Sequence, residues 1–239
     1  MNSRALVAKN SRFYDAFWSG TYLTQPQRFN TWPMIAALLP LSPRRLEVGP
    51  GLHPRLPVAG THFLDLSPPV VDRLNGCGGL ARPGEIAALP YADDSFDLVA
   101  AFDVIEHVKD DGRVFHELTR VLKPGGNLIF SVPLHPAYWT IFDDYVGHAR
   151  RYEPAALQAM LDGHGLEVEK STIFGMQSNN PRLLHHAVQG LVRHPIAALR
   201  CYKWLFFPLG LLLQQKLRFS AGLMDLKEVH EVLVVCRRT

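Results

Sequence analysis

Leu46-Glu47-Val48-Gly49-Pro50-Gly51 is an apolar run that stops in a glycine-rich turn. Glycines at the carboxyl end of a strand let the backbone approach a ligand closely, although the same turn also serves as a plain chain reversal. A dinucleotide-binding loop wants a third glycine at position 54, where this chain has Pro54, so a nicotinamide cofactor is disfavoured. Outward from this turn, short apolar runs bounded by Gly, Pro and Asp recur at 45–48, 61–66, 96–102, 127–132, 166–174 and 231–236. Their near-continuous apolarity is that of strands buried on both faces. Helical patterns fall between them at 31–39, 67–74, 111–122 and 153–162. Thr31 and Ser67 stand where N-caps belong, each with proline just inside. In 111–122, Val114, Phe115, Leu118, Val121 and Leu122 share one face. The Lys123-Pro124-Gly125-Gly126 stretch reads as its terminator, with the lysine at the negative end of the helix dipole. Strand and helix in alternation with short links predict an α/β protein with a doubly wound, seven-stranded, mostly parallel sheet.

Two regions stand outside that alternation. The leader, 1–43, is rich in aromatics, including Phe13, Tyr14, Phe17, Trp18, Tyr22, Phe29 and Trp32. The segment 175–229, before the last strand, is too long for an unstructured loop and carries helix-like apolar runs, so a helical insertion is expected there. The division expected is therefore a helical leader or lid, 1–43, and a main domain, 44–239, that includes the insertion.

Composition narrows the class. The 239 residues are 47% apolar and 20% charged, enough for a full core and unlike a disordered chain. A net charge of +3 gives no reason to expect nucleic acid. Cys77, Cys201 and Cys236 form no CxxC pair and no complete set of pairs, so neither a disulfide scaffold nor a zinc ribbon is expected, and a reducing cytoplasm fits. The first residues lack a signal peptide's apolar run. The longest apolar stretch, from Trp204 to Leu213, contains Pro208 and Gly210 and is short of the ~20 residues of a membrane span.

Asp65 ends the second run, where a carboxylate can accept both hydroxyls of a ribose; it could equally cap the helix that follows. The run 84–108 contains Gly84-Glu85-Ile86-Ala87-Ala88-Leu89-Pro90-Tyr91, then Ser95-Phe96-Asp97-Leu98-Val99, then Asp103-Val104-Ile105-Glu106-His107-Val108. Together with LEVGPG, FLDLSP and RVLKPGG in this order, the stretch 44–174 resembles the class I S-adenosylmethionine-dependent methyltransferases, within the group that includes the ubiquinone-type enzymes. The resemblance implies an S-adenosylmethionine cofactor. By it, Leu66 and Ile86 wall the adenine, Glu85 accepts from its amine, and Asp65 takes the ribose. Glu47, Gly49, Gly51 and Phe102 hold the methionine end, and His107 touches the cofactor. The chain departs from the family at His53, where another glycine is common. The first helix is also nearly missing, since Pro54 and Pro57 leave room for one turn or an extended loop. Arg55, Arg12 and Arg28 are then the candidates for the methionine carboxylate.

Methyl transfer from a sulfonium is an in-line displacement in which the protein aligns, excludes water and supplies a base where the acceptor needs one. His148, His107 and His135 are the candidate catalytic histidines, and His148 could instead hold its loop through Asp143 or Asp144. Tyr14, Trp18, Tyr138, Arg151 and Tyr152 are the candidate substrate contacts. No metal is expected, because the eleven histidines show no HExxH or comparable ligand spacing. The acceptor expected is a small, hydrophobic organic molecule. The apolar stretch 196–217, with Arg200, Lys203, Lys216 and Arg218 beside it, could pack on the sheet, form a homodimer contact, wall the acceptor pocket or touch a lipid surface. A chain that binds the cofactor without transferring from it is the rival reading.

Overall fold

Strands β1 (Arg45–Val48), β2 (His62–Asp65), β3 (Leu80–Pro83), β4 (Phe96–Phe102), β5 (Leu122–Pro133), β6 (Leu166–Ile173), β7 (Ser220–Ala221) and β8 (Glu231–Arg238) form one sheet in the computed structural model. Their order is β3-β2-β1-β4-β5-β8-β6-β7. β3 to β5 pair in parallel, and β8 runs antiparallel between β5 and β6. The structure describes Trp18, residues 21–175, His186, residues 188–190 and residues 192–239. Tyr14, Arg12 and the other aromatics before Trp18 lie outside the described residues.

Burial on both faces explains the apolar runs. Val99 and Ala101 of β4, Leu128 and Phe130 of β5, and Val232 and Val234 of β8 join one core cluster. Leu98 and Ala100, Ile129, and Leu233 and Val235, alternating with them, join another on the opposite face. α3 (Asp111–Val121) places Val114, Phe115, Leu118 and Val121 in the first cluster. α1 (Trp32–Leu38) places Ile35 in the second. Further helices among the described residues include α2 (Pro68–Asn75), α4 (Ile141–Val146), α5 (Pro154–Gly163), α6 (Pro195–Cys201) and α7 (Phe207–Leu213), with a π-helical turn Tyr202–Phe206 joining the last two. The insertion before the last strand is helical, and none of its described helices is long and apolar enough to cross a membrane.

Three local expectations are corrected. β3 and the two-residue β7 join the six runs read from the sequence, so the sheet has eight strands among the described residues and not seven. Lys123 does not cap α3: β5 starts directly after the helix, and Lys123 Nζ bonds Asp97 Oδ1 at 2.6 Å. Neither Thr31 nor Ser67 caps with its side chain. Of the two alternatives left open between Gly51 and β2, the structure takes the loop: residues 52–61, with Pro54 and Pro57, form no helix.

Candidate cofactor site

The tip of β1 is bare backbone. Gly49 (φ +64°) and Gly51 (φ +54°) hold left-handed conformations, and a Cβ on Gly49 would meet Val104 Cγ2 at 2.6 Å. The Glu47 carboxylate replaces the missing helix as the organiser of the loop: it accepts the Arg55 N–H at 2.9 Å and the Leu56 N–H at 2.9 Å. Burial pushes its carboxyl up to about 7, against the pull of those N–H groups and of the Arg55 charge. The Arg55 guanidinium lies 3.7 Å from the centre of the Phe29 ring and 5.6 Å from that of Phe102. Burial lowers its pKa, while Asp103, Glu47 and Glu231 favour its charge. Of the two candidate arginines among the described residues, Arg28 and Arg55, Arg55 is therefore the one held among the strand ends.

Asp65 serves backbone on both sides. Its Oδ2 accepts the Gly51 N–H at 3.0 Å and its Oδ1 the Ser67 N–H at 2.9 Å. One carboxylate thus ties the glycine loop to the start of α2. Among the residues expected around an adenine, Ile86 is buried whereas Leu66 and Glu85 are exposed.

Leader and insertion meet over this loop. The Trp18 ring packs against Gly51, so closely that a Cβ there would come within 1.9 Å of it. His53 takes the Trp18 edge at 4.9 Å and stacks on Phe207 of α7 at 4.1 Å. Tyr22 faces Trp204 at 6.1 Å. Burial and the Arg55 charge push His53 down to about 3, so it enters this aromatic stack as a neutral ring.

Across the sheet edge, beyond β4, the chemistry is ionic. Asp103 (φ +52°) donates its N–H to Ser131 Oγ at the end of β5. Glu231, at the start of β8, is pushed well up by burial and by Asp103. α4 carries a capping box in which Asp143 accepts from Thr140. Gly147, left-handed, closes the helix and turns His148 back, so that His148 Nδ1 lies 2.7 Å from Asp143 Oδ1. Arg151 grips the same carboxylate with two bonds of 2.9 and 3.0 Å and is buried, so its fork is committed to the loop and not presented to a substrate. His107 lies against His148, ring centres 4.7 Å apart. Burial and His148 push His107 down to about 3.

His135 does not join this group: its Nε2 lies 2.7 Å from the Leu226 carbonyl. Tyr138 stacks on His230 at 4.3 Å, and Tyr152 is buried in the main core. Arg151 and Tyr152 also line an open groove of about 260 Å³ with Asp111, Pro136 and Glu153, away from the glycine loop. Sequence reasoning passed over Asp103 and Glu231. Asp103 lay inside a quoted motif, but nothing local marks the left-handed backbone; Glu231 has no signal until β8 is placed beside β5.

Residues 46–130 match the family model for a methyltransferase domain. An S-adenosylmethionine-dependent methyltransferase of Mycolicibacterium smegmatis is 38% identical over 92 residues, covering 37% of this chain and 35% of its own length. A ubiquinone/menaquinone biosynthesis C-methyltransferase of Pectobacterium carotovorum is 28% identical over 102 residues, covering 38% and 41%. The chain thus spans well under half the length of these curated relatives. A SAM-dependent methyltransferase structure from Thermotoga maritima superposes with a TM-score of 0.58 at 17% identity, over 89% of each chain. The chain has the class I S-adenosylmethionine-dependent methyltransferase fold, with its methyltransferase-domain match on β1 to β5. S-adenosylmethionine is the cofactor of that class, and the residues present fit it: bare glycine backbone at the tip of β1, carboxylates at the ends of β1 and β2, and a buried guanidinium beside them.

Proposed function

We propose that this protein transfers a methyl group from S-adenosylmethionine to a small, hydrophobic organic acceptor of the quinone type. The observation that carries the reading is the glycine loop held between Glu47 and Asp65, with Arg55 beside it. Asp65 accepts the ribose hydroxyls, the Gly49 and Gly51 backbone lies along the methionine end, and Arg55 takes its carboxylate, the role left by the missing helix. When bound, the cofactor supplies an electrophilic methyl on a sulfonium. Trp18, His53 and Phe207 close the edge above the loop and exclude water. Where the acceptor loses a proton, His148 is the base: Asp143 holds its Nδ1, which leaves Nε2 as the accepting atom. The hydrophobic acceptor draws on the Pectobacterium relative and on the exposed apolar side chains of Trp204, Leu209, Leu212 and Leu213, which offer a route from a lipid surface.

The test has two stages. Calorimetry with S-adenosylhomocysteine and with NAD should show micromolar or tighter binding of the first and none of the second; the reverse pattern defeats the reading. Labelled methyl from S-adenosylmethionine should then appear on a demethylated quinone in detergent. Binding without transfer to any acceptor tried would favour the rival, a cofactor-binding partner or regulator.

A further inference from the structure

Glu106 is buried, and beside it His107 and His148 keep 9% and 7% of their side chains exposed. Their ligand atoms, one from each residue, lie within 4.8 Å of one another. His148 Nε2 stands 3.7 Å and His107 Nε2 4.0 Å from Glu106 Oε1. These separations are too long for hydrogen bonds. They are near the roughly 3.4 Å between ligands of a tetrahedral ion bound at about 2.0–2.1 Å, so the two pairs with Glu106 need to close by only about half an ångström each.

The rings are also turned as ligands are. His148 Nδ1 faces the Asp143 carboxylate at 2.7 Å, and His107 Nδ1 faces the Gly147 carbonyl at 3.3 Å. Both partners are acceptors, so Nδ1 of each ring is the donor towards them and Nε2 is the ring atom on the Glu106 side. A carboxylate or carbonyl behind each imidazole is the usual outer support of metal-binding histidines. Glu106 itself is 1% exposed, and its Oε2 is buried without a hydrogen-bond partner. Asp103 and Asp143 surround it with further negative charge, against which Arg151 is the opposing cation. A dication would relieve that excess. Backbone holds the halves together, because the Ala149 N–H bonds the Glu106 carbonyl at 2.7 Å.

We infer that Glu106, His107 and His148 bind a divalent transition-metal ion of the zinc type, with Asp143 and Gly147 as supporting partners. Two imidazoles and one carboxylate leave coordination positions open to an acceptor oxygen. The metal then acidifies that oxygen, and the metal-bound Nε2 of His148 no longer serves as the base. Binding of the ion does not depend on methyl transfer, but this use of it does.

The full chain, stripped with chelator, is titrated with zinc sulfate by calorimetry, with cobalt(II) as an optical probe and magnesium as a comparison. One zinc per chain at micromolar affinity or tighter is expected, with a cobalt spectrum of a four- or five-coordinate site and much weaker magnesium binding. Glu106→Gln and His148→Gln should each weaken zinc at least 100-fold and Asp143→Asn about 10- to 100-fold. The exposed His194→Gln should leave zinc binding unchanged. Absence of zinc binding by the folded wild type overturns the inference, and so does binding that the Glu106→Gln/His148→Gln double variant retains. Should these variants not fold, X-ray absorption of the zinc-loaded wild type decides: two imidazoles are expected, and none or one overturns it. S-adenosylhomocysteine binding, measured alongside, keeps the readings apart, since its loss with zinc intact defeats only the methyltransferase proposal.

Discussion

The carboxyl edge of the sheet has two sides that work differently. On the β1–β2 side, the site is made by chain that is close in sequence: Glu47, Gly49, Gly51, Arg55 and Asp65, with backbone N–H groups as the main partners. On the β4–β5 side, Asp103, Glu106, His107, Asp143, His148, Arg151 and Glu231 come from three separated stretches and meet as side chains. The first side reads from a short string of residues. The second exists only once the chain has folded. Losses should follow the same division: cofactor binding on one side, the fold of the α4 loop on the other.

The largest effect is expected on the ionic side. Asp143 and Arg151 are buried with 0% and 2% of their side chains exposed, and Arg151→Ala leaves that carboxylate without its guanidinium. Removing one partner of such a pair costs about 3–5 kcal/mol. Urea unfolding should report it; a loss below about 1 kcal/mol would show that His148 and Thr140 suffice to hold Asp143. On the glycine side, Gly49→Val forces a branched side chain into a left-handed residue and against Val104 Cγ2, 2.6 Å from the new Cβ. Overpacking and backbone strain together should cost about 2–4 kcal/mol.

Glu47 sharpens the contrast through pH. Its carboxyl rises from 4.5 to about 7 on folding, chiefly by burial. The folded state therefore holds the proton more tightly, and the stability this contributes is full below pH 4.5 and lost as pH rises to about 7. The span is on the order of 3 kcal/mol. Glu47→Gln should flatten unfolding free energy across that window; an unchanged slope would place the titration elsewhere. Asp65→Ala should lower S-adenosylhomocysteine affinity by about 1.5–3 kcal/mol, more than tenfold. An unchanged dissociation constant in a folded variant would leave Asp65 as loop support alone.

Much of the architecture was legible because burial on two faces writes itself into composition: the runs at 45–48 and 96–102 match β1 and β4 residue for residue. β3 was not, since Leu80–Pro83 has one buried residue of four and pairs only at the edge next to β2. α4 was hidden in a loop because six residues are too few to show a period. At the site, Asp65 was marked by its place at a strand end, and Glu47 by the family resemblance. The Asp143–Arg151 grip was missed because an arginine in a basic turn looks the same in sequence whether it is solvated or buried. The meeting of Glu106 and His107 with His148 was not legible for a related reason: Glu106 and His107 are adjacent, but His148 arrives only through the Gly147 turn.

The smallest effect on stability is expected on the outer face of α7, which belongs to neither side of the edge. Leu212 and Leu213 are 78% and 70% exposed, so Leu212→Ser/Leu213→Ser removes little that is buried in the folded chain. Each substitution should change unfolding free energy by no more than about 0.5 kcal/mol and leave S-adenosylhomocysteine affinity intact. Binding to vesicles of anionic phospholipid should fall at least about tenfold, because each leucine buried in an acyl boundary contributes about 1.5–3 kcal/mol. Lys216 and Arg218, close behind in the chain, would still attract the anionic surface, so the residual binding should become strongly salt-dependent. Three outcomes separate the uses of this face. Lost vesicle binding with unchanged stability assigns it to lipid. Vesicle binding that persists removes lipid from the account. A stability loss of about 2 kcal/mol or more, rising with protein concentration in the wild type, would mean that a second copy of the chain already covers these leucines in solution.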